Sequence, residues 1–399
     1  MKHERLGNIA TFINGAAFKP EDWNNKGLKI IRIQNLTNPN KPYNKTLRKV
    51  DDKYIVKKGD VLVSWSATID VFIWEEDDDA LLNQHIFKVV FDFSKVEKRY
   101  FIFALKQTID ELTKFAHGST MKHVIKRDFD NHKILLPSLQ DQIRIANILS
   151  KAENLINQRK ESIALLDELL KSTFLEMFGG IIETSSSKLE YLGDNISYLT
   201  SGSRGWAKYY SETGAKFLRI QNIGGGVIRT DNLINVSPPN SAERERTRVQ
   251  EGDLIISITA DLGRTSVVPK NFGEAYINQH LALIRLNQNI NPIYAAYFYN
   301  MPFGNNAIQK KNRSAVKAGL NFNDIKSFPI IIPKMMLQNQ FATIVEKVET
   351  LKTESQVSLK ELEHMYGVLS QKAFNGELKV KEYTNNEVLG MVAETKGGY

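Results

Sequence analysis

The sequence predicts an α+β chain in which two similar α/β domains are joined by two long antiparallel helices. These pair as a coiled coil and give the molecule pseudo-twofold symmetry. Three observations predict this. Short words recur in the same order in the two halves, each half mixes brief apolar β-segments with Gly-, Asn- and Pro-rich turns, and each half ends in a sustained heptad stripe.

The repeat comes first, because it fixes the domain count. Leu6-Gly7 returns 186 residues later as Leu192-Gly193, and Arg32-Ile33-Gln34-Asn35 returns letter for letter after 187 as Arg219-Ile220-Gln221-Asn222. Gly59-Asp60 followed by an apolar run and Ser64 returns after 193 as Gly252-Asp253 and Ser257. Asn83-Gln84-His85 becomes Asn278-Gln279-His280 after 195, and Ile134-Leu135-Leu136-Pro137 becomes Ile330-Ile331-Ile332-Pro333 after 196. The order holds and the offset only rises. Two copies of one domain with small loop insertions behave in this way.

After each closing proline the period changes from strand-like to helical. Ile145, Leu149, Ala152, Ile156, Arg159, Ile163, Leu166, Leu170, Thr173 and Met177 keep alternating four-and-three spacing. Phe341, Ile344, Val348, Leu351, Ser355, Ser358, Leu362, Met365 and Leu369 do the same. Neither stripe can be buried alone, so the two helices are expected to pair. Gly179-Gly180 is expected to end the first helix. The expected order is a domain over 1–137, a helix over 138–179, a linker over 180–190, a domain over 191–333, a helix over 334–378 and a tail over 379–399.

The 399 residues exceed the usual size of one hydrophobic core, and 42% hydrophobic with 25% charged residues is ordinary for a folded protein. With no cysteine there is neither a disulfide framework nor a thiolate metal site. The start MKHERLGNIA has no apolar signal core, and no stretch reaches the roughly 18 apolar residues of a membrane span. A cytoplasmic protein is expected. Its formal charge of +8 favours a polyanionic partner.

Together the paired words Leu-Gly, Arg-Ile-Gln-Asn, Gly-Asp-apolar-Ser and Asn-Gln-His, and proline-led helix starts carrying Gln142 and Gln340, resemble the specificity subunits of type I restriction-modification systems over residues 1 to about 378. Ala373-Phe374-Asn375-Gly376-Glu377-Leu378 is similar to that family's second helical region, whereas the first helix closes differently, with Phe174-Leu175-Glu176-Met177-Phe178-Gly179. The resemblance implies a target-recognition domain in each half and sequence-specific binding of a bipartite, asymmetric site in double-stranded DNA. It also implies partners: two methyltransferase (modification) subunits and the restriction/translocase subunits. No cofactor is expected in this chain. S-adenosylmethionine, ATP and Mg are expected in the partner subunits.

Candidate DNA contacts follow from residue type. Ser119, Lys122 and His123, and in the second copy Arg313, Ser314 and Lys317, combine cations with hydroxyls and suit phosphates, although a solvated basic face would look alike. Arg32, Gln34, Arg219 and Gln221 can pair bidentately with base edges. Because two different half-sites need different readers, identical words in both copies also invite a structural reading, above all for Asn35, Asn222 and the Asn-Gln-His pair. Positions where the copies diverge supply Lys19, Trp65 and Thr68 in one half and Arg204, Thr259 and Arg264 in the other.

Catalytic signatures are lacking. No Gly-Lys dipeptide exists for a phosphate-cradling P-loop, the Pro238-Pro239 pair lacks the flanks of an amino-methyltransferase motif, and Gly224-Gly225-Gly226 reads as a turn. The expectation is a non-catalytic subunit with no metal site. Its rivals are a stand-alone methyltransferase or nuclease and a coiled-coil scaffold indifferent to DNA.

Overall fold

Both long helices form where the apolar stripes predict them, over Leu139–Thr184 and Met335–Phe374. The computed structural model describes residues 2–38, 40–114, 124, 126–184, 189–312 and 319–378. The chain divides into two units, and the division falls inside the helices. Met1–Arg159 with Ser358–Tyr399 make unit 1, and Lys160–Val357 make unit 2.

Unit 1 is built on an antiparallel sheet in the order Ala10–Asn14, Ile86–Phe91, Val61–Ser64, Asp70–Ile73. A second sheet has the order Asn44–Thr46, Leu28–Ile31, Ala80–Leu82, Ile55–Val56, its middle pair parallel. Unit 2 repeats this plan. Ile196–Ser201, Leu281–Leu286, Leu254–Ser257 and Thr265–Val267 form the first sheet, and Tyr210–Ser211, Ile234–Val236, Ala215–Leu218 and Ala275–Ile277 the second. The two Gly-Asp-led runs, apolar at every position before the serine, are fully buried strands in both units. Unit 2 departs from unit 1 after its Arg-Ile-Gln-Asn word. Where unit 1 forms the short helix Ile33–Thr37, unit 2 turns through its three glycines into a hairpin, Ile223–Gly224 with Gly226–Ile228, that lengthens the first sheet to six strands.

Each unit buries the end of the helix that the other half began. Leu170, Phe174 and Phe178 enter the unit 2 core with Tyr294 and Phe341, while Ala373 enters the unit 1 core with Ile145, Ala146 and Leu149. Within unit 2 the helix segments run antiparallel. Asp167 meets Lys352, and Phe174, further along, stacks edge-on against the earlier residue Phe341, centroids 5.2 Å apart.

The stripes drift from the heptad register. Thr173 and Met177 are half-buried while their neighbours Phe174 and Phe178 are fully buried, and Leu351 and Met365 face solvent where Lys352 and Tyr366 turn inward. An unsupercoiled helix has 3.6 residues per turn, so a strict 3.5 spacing loses its face within a few turns. Gly179-Gly180 lies inside the first helix, not at its end. Each glycine costs about 1 kcal/mol of helix propensity, offset by Ile181 and Ile182 packing on the unit 2 core. The second helix does stop at a glycine, Gly376, with φ of +77°.

Candidate nucleic-acid interface

The recurring words are scaffold first. Leu6 and Leu192 are fully buried, and their N–H groups donate to His132 and Phe328 at 2.9 and 2.8 Å. The side chain of Asn35 accepts from the Arg32 N–H at 3.2 Å and donates to the carbonyls of Lys41 and Pro42. Asn222 accepts from the Arg219 N–H at 3.1 Å and donates to those of Arg229 and Asp231. Both asparagines are buried, so the loop-holding role takes up their polar atoms. Asn83 and Asn278 likewise accept from the N–H of His85 and His280. The Oγ atoms of Ser64 and Ser257 close the following hairpin turns by donating to the carbonyls of Thr68 and Asp261.

Those turns carry backbone strain that the sequence analysis missed. Ala67 and Ala260 both adopt φ near +60° (58° and 59°), a left-handed conformation uncommon for residues other than glycine, and costly. The sign was legible as Ser64-Trp65-Ser66-Ala67 against Ser257-Ile258-Thr259-Ala260. In unit 1 this strained turn, the Arg-Ile-Gln-Asn word and the Asn-Gln-His word converge on a cavity of about 450 Å³ lined by Arg32, Gln34, Ser66, Ala67, Gln84 and His85, with Phe18 and Trp23 at its side. The Arg32 guanidinium lies 5.6 Å from the centroid of the Trp23 indole. Trp23 was not among the expected contacts.

The other unit 1 candidates lie around this cavity or outside it. Lys19 and Thr68 are exposed, each one residue beyond a lining residue. Trp65 is half-buried, stacked on Phe87 and donating its indole N–H to Asn14 at 3.2 Å. Ser119, Lys122 and His123 fall outside the described residues, as do Arg313, Ser314 and Lys317.

In unit 2 the same words are differently engaged. Arg219 donates through Nη2 to the Asn232 carbonyl at 2.9 Å. Gln221, its carboxamide turned oxygen-inward, accepts from both Nη atoms at 3.2 and 2.6 Å. Thr259 Oγ1 lies 2.6 Å from His280 Nδ1. Arg204 is exposed, and its backbone N–H donates to Glu243, which also takes the Trp206 indole N–H at 2.8 Å. Arg264 is paired with Asp261 and lines a second cavity of about 320 Å³ with Arg229, Asn305 and the Gly224-Gly225 rim. Arg229 and Asn305 had no sequence signal, since Arg229 is placed by the hairpin that unit 2 forms and Asn305 reaches the cavity from the separate helix Pro302–Gln309. Among the described residues no group of three or more acidic or histidine side chains is placed to hold a metal ion, and no helix is long and apolar enough to cross a membrane.

The type I restriction modification DNA specificity domain matches this sequence over residues 1–165 and 207–364. Among characterised proteins, the chain is 20% identical to the type I restriction enzyme EcoBI specificity subunit of Escherichia coli, over 96% of this chain and 87% of that protein. Among solved structures, it superposes on the type I restriction-modification S subunit from M. genitalium with a TM-score of 0.58, at 16% identity and covering 96% of each chain. A chain from a study of complex assembly in the type I system matches with a TM-score of 0.53, at 18% identity over 94% of this chain and 98% of that one. Duplicated fold, shared words and family match agree: the chain belongs to the type I restriction-modification DNA specificity family.

Proposed function

We propose that the chain gives a type I restriction-modification complex its DNA sequence preference, each unit engaging one half of a bipartite, asymmetric target in double-stranded DNA. The observation that carries this reading is the duplication, in which scaffold residues are shared and surfaces are not. Buried Asn35 and Asn222 do the same work in both units, whereas the cavity beside Arg32 is flanked by Phe18 where unit 2 has Gly205, and the glycine hairpin beside Arg229 stands where unit 1 forms the helix Ile33–Thr37. The excess of lysine and arginine suits the phosphate backbone.

The chemistry belongs to partners in this reading. Two methyltransferase subunits dock on the helices and modify adenines, restriction/translocase subunits join them, and S-adenosylmethionine, ATP and Mg are bound by those chains. Support for docking comes from apolar side chains left exposed on the helices, among them Leu155, Leu165, Leu169, Leu351, Val357 and Met365. Leu165 and Leu169, four residues apart, are neighbours on the surface of the first helix and make an exposed apolar pair of the kind a partner covers. Methylation mapping of DNA modified by the assembled complex tests the proposal. Exchanging residues 1–137 for another recognition domain is expected to rewrite one half-site and leave the other untouched, and a swap that rewrites both, or a single continuous site, overturns it.

A further inference from the structure

The word Arg-Ile-Gln-Asn is identical in the two units and its backbone is held by the same asparagine bond, yet its remaining side chains are open in one unit and closed in the other. In unit 2 the Arg219 guanidinium donates to Gln221 and to the Asn232 carbonyl, and its Nε is buried without a partner. With its oxygen taking two N–H groups, Gln221 has no acceptor left for the paired donor-and-acceptor contact that reads adenine. In unit 1, among the described residues, the Arg32 guanidinium meets the face of Trp23 and no hydrogen-bond partner, and the Gln34 carboxamide has none either. The histidines differ in the same sense, since His280 Nδ1 meets Thr259 while His85 Nδ1 has no partner among the described residues.

We propose that Arg32, with Gln34 beside it, reads a guanine of the DNA target through the open cavity of unit 1, and that Arg219 and Gln221, the same letters, only hold their own loop. An arginine held by a ring face keeps its in-plane N–H fork free, and that fork matches the O6 and N7 acceptors of guanine. The indole fixes the guanidinium before DNA arrives, so less freedom is lost on binding. Arg219 would first have to surrender three charge-assisted hydrogen bonds. A word that looks like a shared reader is therefore a reader in one unit and a strut in the other. This assignment rests on the chain being the DNA-reading subunit.

The test uses the full chain assembled with its modification subunits, and duplexes that carry the mapped target with each base pair replaced in turn, competed at one salt concentration. Arg32→Ala is expected to lose discrimination at one G·C position of one half-site by roughly 5- to 150-fold and to keep its preferences elsewhere. Arg32→Lys, which keeps the charge without the fork, is expected to lose the same preference while retaining affinity for unrelated DNA. Arg219→Ala, checked for assembly, is expected to keep every base preference. If Arg32→Ala weakens all duplexes alike, or Arg219→Ala relaxes a position of the other half-site, the assignment is overturned. Should Arg32→Ala fail to assemble, Arg32→Lys decides by the same readout. A wild-type complex without any preference among duplexes defeats the proposed function and this inference together; a wild-type preference that Arg32→Ala and Arg32→Lys leave intact defeats the inference alone.

Discussion

Gln142 and Gln338, 196 residues apart, make the same three hydrogen bonds at the starts of the two long helices. Gln142 accepts from the Glu97 N–H at 2.8 Å and donates to the carbonyls of Lys95 and Pro137 at 3.0 Å. Gln338 accepts from the Asn291 N–H at 2.8 Å and donates to those of Asn289 and Pro333. Both are fully buried, so each ties a helix start to the globular part of its unit. The glutamine that matches Gln142 is thus Gln338 and not Gln340, which is exposed.

Removing either buried glutamine strands three backbone groups out of reach of water. Gln142→Ala and Gln338→Ala are each expected to cost about 2–3 kcal/mol, read as a lower urea midpoint, whereas Gln340→Ala stays within about 0.5 kcal/mol of wild type. Equal effects at 338 and 340 would show the register to be wrong.

Glu349 gives unit 2 a pH dependence. Burial pushes its carboxyl above the usual value near 4.5, the nearby Asp167 carboxylate adds to the rise, and Lys352, 3.6 Å away, offsets only part of it. A raised pKa in the folded state means that the stabilising contribution is complete below about 4.5 and is lost as pH rises through the folded value. Ionised Glu349 therefore opposes folding at neutral pH. Glu349→Gln is expected to raise the thermal midpoint at pH 7, with the gap closing as pH falls toward 4.5. Lys352→Ala, which leaves two carboxylates without their cation, is expected to lower the midpoint at pH 7. A gap that widens on acidification would refute the assignment.

Glycines at two kinds of position should respond with opposite signs. A Cβ on Gly15 or Gly202 would overlap the backbone oxygen of Asn83 or Asn278, which cannot move without breaking the Asn-Gln-His turn. Gly15→Ala and Gly202→Ala are expected to destabilise their units by more than about 2 kcal/mol. Gly179 and Gly180 sit in a helix with open space around them, so alanine there is expected to stabilise by about 0.5–1 kcal/mol each. Thermal unfolding of the four variants distinguishes the classes.

Neighbouring leucines separate docking from folding. Leu165 and Leu169 are 60% and 49% exposed, while Leu170 is 2% exposed in the unit 2 core. Leu165→Asp with Leu169→Asp is expected to leave the isolated chain as stable as wild type and to abolish co-purification with the methyltransferase subunits. Leu170→Asp buries an unpaired charge and is expected to unfold unit 2. A double variant that assembles normally would remove these leucines from the docking surface.

The sequence alone determined the duplication, the two long helices and the strands that core each unit, because repetition and hydrophobic period are local properties of the chain. Family likeness was legible for the same reason, since words such as Arg-Ile-Gln-Asn and Asn-Gln-His survive as loop-holding bonds around Asn35, Asn83 and their twins. The tertiary structure decided the rest. Leu351 and Met365 turn outward because the 3.6 period of a helix drifts from a heptad stripe, and Gly179-Gly180 stays helical because Ile181 and Ile182 find a core to enter. Whether Arg32 or Arg219 is free cannot be read from four identical letters. It depends on Trp23 in one unit and on the Asn232 carbonyl in the other, partners brought to the guanidinium by the fold and invisible to spacing.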